Sequence, residues 1–165
     1  MRLFLLVLLV LHAGPALAST ARSFMATVTH VTDGDTVWVR PAPGGAPLQV
    51  RLQGLDPPEI CQASGPQSRQ ALARRLLHQP VRVHAQGRDD YQRLLGRLQQ
   101  GGQDVGGWLV ANGWAWSQGF RRQAGPYDTL QARARKARRG LWSGPQPVLP
   151  RTFRQRNGPC HRPAR

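Results

Sequence analysis

Apolar and polar residues alternate with a period of two in several stretches of the chain, the pattern of half-buried strands. Residues 23–31 are rich in β-branched side chains and alternate in this way until Asp33-Gly34 interrupts them. Residues 36–40 and 48–53 form two further stretches, and Pro43-Gly44-Gly45 between them is typical of a turn. The first third of the chain therefore predicts a three-stranded meander.

Two longer stretches have apolar residues at helical spacing. The first begins at Pro66, which suits the first turn of a helix, and ends before Pro80. The second runs towards Gly140, which suits a C-terminal cap. The apolar residues that define these helices are Ala71, Leu72 and Leu76, then Leu130, Ala134, Ala137 and Leu141.

Shorter elements complete the order. Residues 54–65 are predicted as a loop, and residues 81–85 and 94–99 as a fourth and a fifth strand. Asp104 is predicted to cap a short helix that ends at Asn112, although each of two glycines weakens it by about 1 kcal/mol. The fold class is thus mainly β with added helices (α+β): a five-stranded OB-fold (oligonucleotide/oligosaccharide-binding) Greek-key barrel with about three helices.

Length and composition divide the chain into three segments. Its 165 residues suit one ordinary domain. Residues 1–18 combine Arg2, an apolar run and a small-residue cleavage site, and predict a signal peptide, with an uncleaved anchor as the alternative. Residues 19–144 would then form the domain, and residues 145–165 a poorly ordered tail rich in Pro and Arg. We expect an exported monomer, periplasmic or secreted, that does not span a membrane.

The charge is strongly positive. Lysine and arginine number 23 against 8 acidic residues, a net charge of +15, or +14 if Arg2 leaves with the signal peptide. Such a field attracts polyanions, and DNA and RNA are the commonest of these. An arginine-biased composition with a solvated cationic surface explains the same numbers, so charge alone indicates binding and not catalysis.

The few acidic residues are more informative than the many basic ones. Half of them fall between residues 33 and 59, and Glu59 is the only glutamate. In an acid-poor chain, such clustering favours carboxylates that bind a metal or transfer protons. The acidic residues are Asp33, Asp35, Asp56, Glu59, Asp89, Asp90, Asp104 and Asp128.

Three motifs carry this chemistry. Asp33-Gly34-Asp35-Thr36 lies where the first strand turns into the second, and taken alone it is an ordinary turn. The segment from Arg51 to Glu59 places a cation at the end of a strand and two carboxylates on a loop that Pro57-Pro58 stiffens. Tyr91-Gln92-Arg93 precedes the fifth strand.

In this order and spacing the motifs resemble the staphylococcal nuclease (thermonuclease) family. The likeness runs from about Met25 to Trp142 and includes R-L-x-G-x-D-x-P-E at 51–59, Leu94-Leu95-Gly96-Arg97 and Gly113-Trp114-Ala115-Trp116. The resemblance implies an OB barrel and a calcium-dependent phosphodiesterase that acts on DNA and RNA.

The resemblance also implies a role for each matching residue. Asp35, Asp56 and the backbone carbonyl of Pro57 would bind calcium, with Asp33 as an acid beside them. Glu59 would activate water. Arg51 and Arg93 would hold the phosphate and stabilise its transition state, and Tyr91 would line the nucleotide pocket.

General chemistry agrees with these implied roles. A phosphodiester is already anionic, so a catalyst must neutralise it and stabilise further charge in the transition state. The planar, permanently charged fork of arginine suits two phosphate oxygens. Calcium prefers oxygen ligands, and so few protein ligands predict weak binding, in the range of about 0.1 to 1 mM.

The chain departs from the family pattern at several positions. Pro57 stands where a small residue or threonine is usual, so a hydroxyl ligand is lost while a carbonyl ligand is kept. Gln92 replaces a common glycine and would re-aim Arg93 if that position has a positive φ. Paired tyrosines are missing after Trp116, which leaves base stacking to Trp116 or Phe120 unless these are core aromatics.

Cys61 and Cys160 are the only cysteines, and in an exported chain they predict a disulfide, with two free thiols as the alternative. Because Cys61 lies two residues from Glu59, such a bridge would pin the Arg-rich tail against the catalytic loop. Two other function classes stay open. One is a non-catalytic OB-fold nucleic-acid-binding protein, and the other is a cationic secreted protein that acts on membranes or anionic polymers, its carboxylates being turn residues.

Overall fold

The computed structural model describes residues 22–119 and 123–160. The predicted signal peptide at residues 1–18 and the candidate stacking residue Phe120 lie outside these ranges. Within them, none of the helices combines the length and the apolar character that a membrane span requires.

Five strands form the closed barrel that the sequence predicts. The strands of the described residues are β1 (Arg22–Val31), β2 (Thr36–Pro41), β3 (Leu48–Leu52), β4 (Leu55–Asp56), β5 (Pro80–Arg88), β6 (Leu94–Gln100), β7 (Gln103–Asp104) and β8 (Trp116–Ser117). Antiparallel pairs link β3, β2, β1, β5 and β6 in that order. A parallel pairing of β3 with β6 closes the ring, with Arg51 opposite Leu95. The OB-type barrel is therefore confirmed.

The core follows from the alternation along these strands. Val28, Val37, Val39, Val50 and Val83 all point inwards and have no exposed surface. Burying a valine side chain stabilises a fold by roughly 1.5 kcal/mol or more. The inner face of the barrel therefore fixes the register, since a shift by one residue would expose this set.

The two-residue strands were not predicted. β4 lies inside residues 54–65, which the sequence predicts as loop, and pairs with β8 so that Asp56 is opposite Trp116. Two residues are too short for a period of two to be visible in the sequence. The pairing matters because it holds Asp56 on a ladder instead of a free loop.

Four α-helices are described: α1 (Gly65–Leu76), α2 (Val105–Ala111), α3 (Asp128–Lys136) and α4 (Pro150–Asn157). Asp104 caps α2 as predicted, since its Oδ2 accepts a hydrogen bond from the Gly107 N–H at 2.9 Å. α3 ends four residues before Gly140, which instead begins the 3₁₀ helix Gly140–Ser143. The cause is local: Arg138 is left-handed, with a φ of 52°.

The prediction of a poorly ordered tail is wrong for residues 150–157, which form α4. A disulfide joins Cys61 to Cys160, so the segment that carries α4 is tied to the loop after β4. Tertiary contacts thus override a composition rich in Pro and Arg. With α4, the described part of the chain has one helix more than the sequence predicts.

Candidate active site

A pocket of about 250 Å³ opens where three loops meet. It brings together six of the predicted site residues: Asp33, Asp35, Arg51, Asp56, Pro57 and Glu59. Thr32, Pro58 and Ile60 complete the wall on the barrel side, and Pro159 and Cys160 close it from the C-terminal segment. Four acidic residues and one arginine are thus among the residues that surround this space.

Asp35 is held at the turn between β1 and β2 by local hydrogen bonds. Its N–H donates to Asp33 Oδ1 at 3.1 Å, and Thr36 Oγ1 donates to Asp35 Oδ1 at 2.7 Å. The residue is only 2% exposed. Burial raises the pKa of the Asp35 carboxyl to about 7, although Arg51 acts in the opposite direction.

Arg51 lies beside Asp35 because of strand register. The pairing of β2 with β3 sets Thr36 opposite Arg51. Arg51 Nη2 is 2.9 Å from Asp35 Oδ2, while the arginine side chain keeps 31% of its surface exposed. The guanidinium therefore neutralises a buried acid and still faces the pocket.

Asp56 ends β4, and Glu59 lies in the loop after it. The Glu59 N–H donates to Gln62 Oε1 at 3.1 Å, and the Gln62 N–H donates to the Glu59 carbonyl at 2.8 Å. Gly34 lets the two acidic loops approach, since a Cβ there would lie 2.6 Å from Pro57 Cβ. Burial raises the pKa of Asp56 above its ordinary value, and Arg154 opposes that rise.

Arg154, on α4, is a site residue that the sequence did not single out. Its Nη1 is 3.3 Å from Asp56 Oδ1 and 2.5 Å from Glu59 Oε1. The only signal in the sequence was the second cysteine, because a bridge from Cys61 brings the Arg-rich tail close to Glu59. Which of the tail arginines would reach the carboxylates was not visible.

Arg93 is not among the pocket residues. Its Nε and Nη2 each lie 2.7 Å from Asp89 Oδ2, so the guanidinium forms an ion pair with a residue four positions earlier in the chain. Gln92 beside it has a φ of 63°, which confirms that a left-handed residue precedes the arginine. Tyr91 is 81% exposed, and the Arg93 guanidinium carbon lies 5.4 Å from the centre of its ring.

Trp116 does not offer a free face to a base. It is 4% exposed, and its ring meets that of Trp142 edge to face, with the ring centres 5.4 Å apart. Its place opposite Asp56 in the β4–β8 ladder directs it into the protein. Of the two alternatives for Trp116, base stacking or a core aromatic, the structure supports the core aromatic.

Comparison with known proteins identifies the family. The sequence model described as "Staphylococcal nuclease homologue" matches residues 49–144, more than half of the chain. The chain belongs to the staphylococcal nuclease family. The expected resemblance is thus confirmed.

Relatives of similar length agree. An uncharacterized endonuclease of Haemophilus influenzae is 30% identical over 92% of this chain and 82% of that protein. The micrococcal nuclease of Shigella flexneri is 33% identical over 80% of this chain and 81% of that protein. The protein ParB of Escherichia coli is 34% identical over 78% of this chain and 77% of that protein. This member of the staphylococcal nuclease family is a nuclease, a hydrolase of phosphodiester bonds.

The oxygen atoms that this nuclease offers in the pocket suit a hard cation, and their small number suits weak binding. Within residues 22–119 and 123–160, no three His, Cys, Asp or Glu side chains group closely enough to hold a metal. Asp35, Asp56 and the Pro57 carbonyl, which line one pocket, offer only oxygen. Burial raises the pKa of Asp35 while Arg51 lowers it, and a cation bound beside this carboxylate would also favour its ionised form.

Proposed function

We propose that this nuclease is calcium-dependent and cleaves DNA and RNA at the pocket between the β1–β2 turn and the loop after β4. One observation supports the proposal above the others. Two buried carboxylates, Glu59 and Arg51 line a single pocket in a chain that has only eight acidic residues. Charge of both signs is thus concentrated where an anionic substrate needs it.

Asp35, Asp56 and the Pro57 carbonyl would hold the calcium ion. When bound, calcium would supply positive charge to the phosphate oxygens. Glu59 also lines the pocket, and in the proposed mechanism it takes a proton from the attacking water. Its backbone is fixed by the reciprocal hydrogen bonds with Gln62, which keeps the carboxylate in place.

Arg51 would contact the phosphate in the proposed mechanism. The exposed part of its side chain faces the pocket, while Asp35 holds one nitrogen. A guanidinium stays protonated throughout the reaction and can stabilise the charge that grows on the phosphate oxygens. Arg93 would join it only after leaving Asp89, so we expect Arg93 to contribute when substrate is bound and not before.

Phosphate is common to DNA and RNA, and a site built from charges reads phosphate more than base. We therefore propose single-stranded or locally open DNA and RNA as substrates, with little sequence specificity. We further propose that the chain is exported and acts as a monomer in the periplasm or outside the cell, where calcium reaches the range of weak sites.

The test is cleavage of single-stranded DNA and RNA by the wild-type protein, with calcium or with a chelator. We expect both substrates to be cut only with calcium, half-maximally at about 0.1 to 1 mM. Glu59→Gln should lower kcat by about 10²- to 10⁴-fold, since it removes the proton acceptor. Asp90→Asn makes the same chemical change at an exposed position and should leave kcat unaltered.

The outcomes separate the function classes. Binding of substrate without cutting would support the non-catalytic OB-fold alternative. Cutting in chelator would overturn calcium dependence, and equal rates for Glu59→Gln and the wild type would remove Glu59 as the base.

A further inference from the structure

The C-terminal segment lies beyond residue 144, where the match to the family ends, yet it contacts the loop after β4 at three points. The first is the disulfide between Cys61 and Cys160. The second is the Gln62 side chain, whose Nε2 donates to the Val148 carbonyl at 2.5 Å. The third is Arg154, and all three contacts fall on residues 56–62, at the end of β4 and in the loop after it.

The Gln62 contact couples the tail to the candidate base. Gln62 is 5% exposed, and its side-chain amide makes hydrogen bonds both to the loop and to the tail. Its oxygen accepts from the Glu59 N–H, and its nitrogen donates to the tail. A shift of the tail would therefore move a group that holds the backbone of Glu59.

Arg154 contacts side chains at the end of β4 and in the loop after it. A single nitrogen, Nη1, contacts both Asp56 and Glu59. Two carboxylates three positions apart repel each other, and a guanidinium between them removes that repulsion. Arg154 contacts both carboxylates, which line the pocket, but is not itself one of the residues that line it.

We propose that Arg154 is a positioning residue of the nuclease, and that the disulfide-tied tail which carries it braces the catalytic loop. The inference rests on the function proposed above, because it assigns Asp56 and Glu59 to the reaction. The inference places one residue of the site, Arg154, in the C-terminal segment beyond residue 144, where the family match ends.

Arg154→Ala is the first test, in the full-length oxidised protein. We expect kcat to fall about 10- to 100-fold through misplacement of the loop, with KM changed less than about threefold. Because one nitrogen makes both contacts, Arg154→Lys should restore kcat to within about fivefold of the wild type. Arg151→Ala removes the same charge from an exposed position of α4 that contacts neither carboxylate, and should behave as wild type.

A second measurement does not depend on cleavage. In chelator, the amides of Glu59 and Gln62 should exchange hydrogen faster in Arg154→Ala than in Arg151→Ala, while amides of the barrel strands should be unaffected. Replacing both cysteines by serine should accelerate the same amides and lower kcat. Arg154→Ala added to that variant should lower kcat further by less than it does alone, because both changes release one contact network.

The outcomes distinguish the two proposals. If the wild type fails to cut, the proposed function fails. If the wild type cuts and Arg154→Ala cuts equally well, with unchanged exchange at Glu59, the positioning role fails while the function stands. Faster cutting by Arg154→Ala would make Arg154 a blocking residue and would also overturn the inference.

Discussion

At the scale of single residues, Asp35 links the site to stability. Burial raises its pKa to about 7 in the folded protein, against 3.8 for the ordinary carboxyl. The folded state therefore holds this proton more tightly than the unfolded state. The stabilisation is fully present below pH 3.8 and is lost as pH rises through about 7, the reverse of the usual behaviour of an acid.

The measurement is urea unfolding in chelator at pH 5 and pH 8, for the wild type and for Asp35→Asn. We expect the wild type to lose more stability than the variant between these values, because the variant cannot titrate. Calcium added at pH 8 should stabilise the wild type and not the variant. Equal pH dependence of the two proteins would show that Asp35 is ionised in the folded state.

Gln92 carries backbone strain that glycine would relieve. Its φ of 63° lies in the left-handed region, where a side chain costs about 1 kcal/mol. Glycine also has a freer unfolded state, so Gln92→Gly should raise the free energy of unfolding by only about 0.5 kcal/mol. Gln92→Ala keeps the Cβ and should give no such gain in urea unfolding. An equal gain from both would trace the effect to the glutamine side chain.

The residue scale also shows where sequence reasoning succeeds and fails. Asp35 and Arg51 could be singled out because Asp35 directly precedes one strand and Arg51 lies near the end of the next, and register brings them together. Arg93 was assigned by likeness to the family, and Trp116 because the family's paired tyrosines are missing here, but the positions of both side chains depend on partners that this chain supplies. Asp89 holds Arg93, and Trp142 packs on Trp116.

At the scale of elements, the start of α1 supports the loop after β4. A Cβ on Gly65 would overlap the carbonyl oxygen of Glu59, so the helix meets the backbone of the candidate base directly. Gly65→Ala should cost about 1 to 3 kcal/mol in the free energy of unfolding and lower kcat, because the loop must move. Gly87→Ala is the matched control, since a Cβ there has no neighbour within 4 Å.

Both variants are compared by urea unfolding and by cleavage with calcium. Wild-type stability and rate in Gly65→Ala would mean that the loop yields without affecting the site. Such a result would also weaken the view that Glu59 needs a fixed backbone.

Elements differ in how far the sequence reveals them. The five barrel strands are long enough for alternation to show, and their core face follows from it. β4 and β8 have two residues each and exist because Leu55 and Asp56 find partners far along the chain. α4 has an unfavourable composition and is held by the disulfide, by Gln62 and by Arg154, none of which is local.

At the scale of the whole molecule, the excess of positive charge predicts steering of nucleic acid. Arg133 and Lys136 lie exposed on α3 and do not line the pocket, so we expect them to act on the substrate through the electric field of the protein. In the Glu59→Gln background, changing both to glutamine should slow association with single-stranded DNA about two- to fivefold near 0.01 M salt. This reduction in the association rate should almost disappear at 0.15 M salt, where the screening length is about 8 Å. Stopped-flow fluorescence at the two salt concentrations checks this, and a loss that persists at 0.15 M would instead make α3 a direct contact surface.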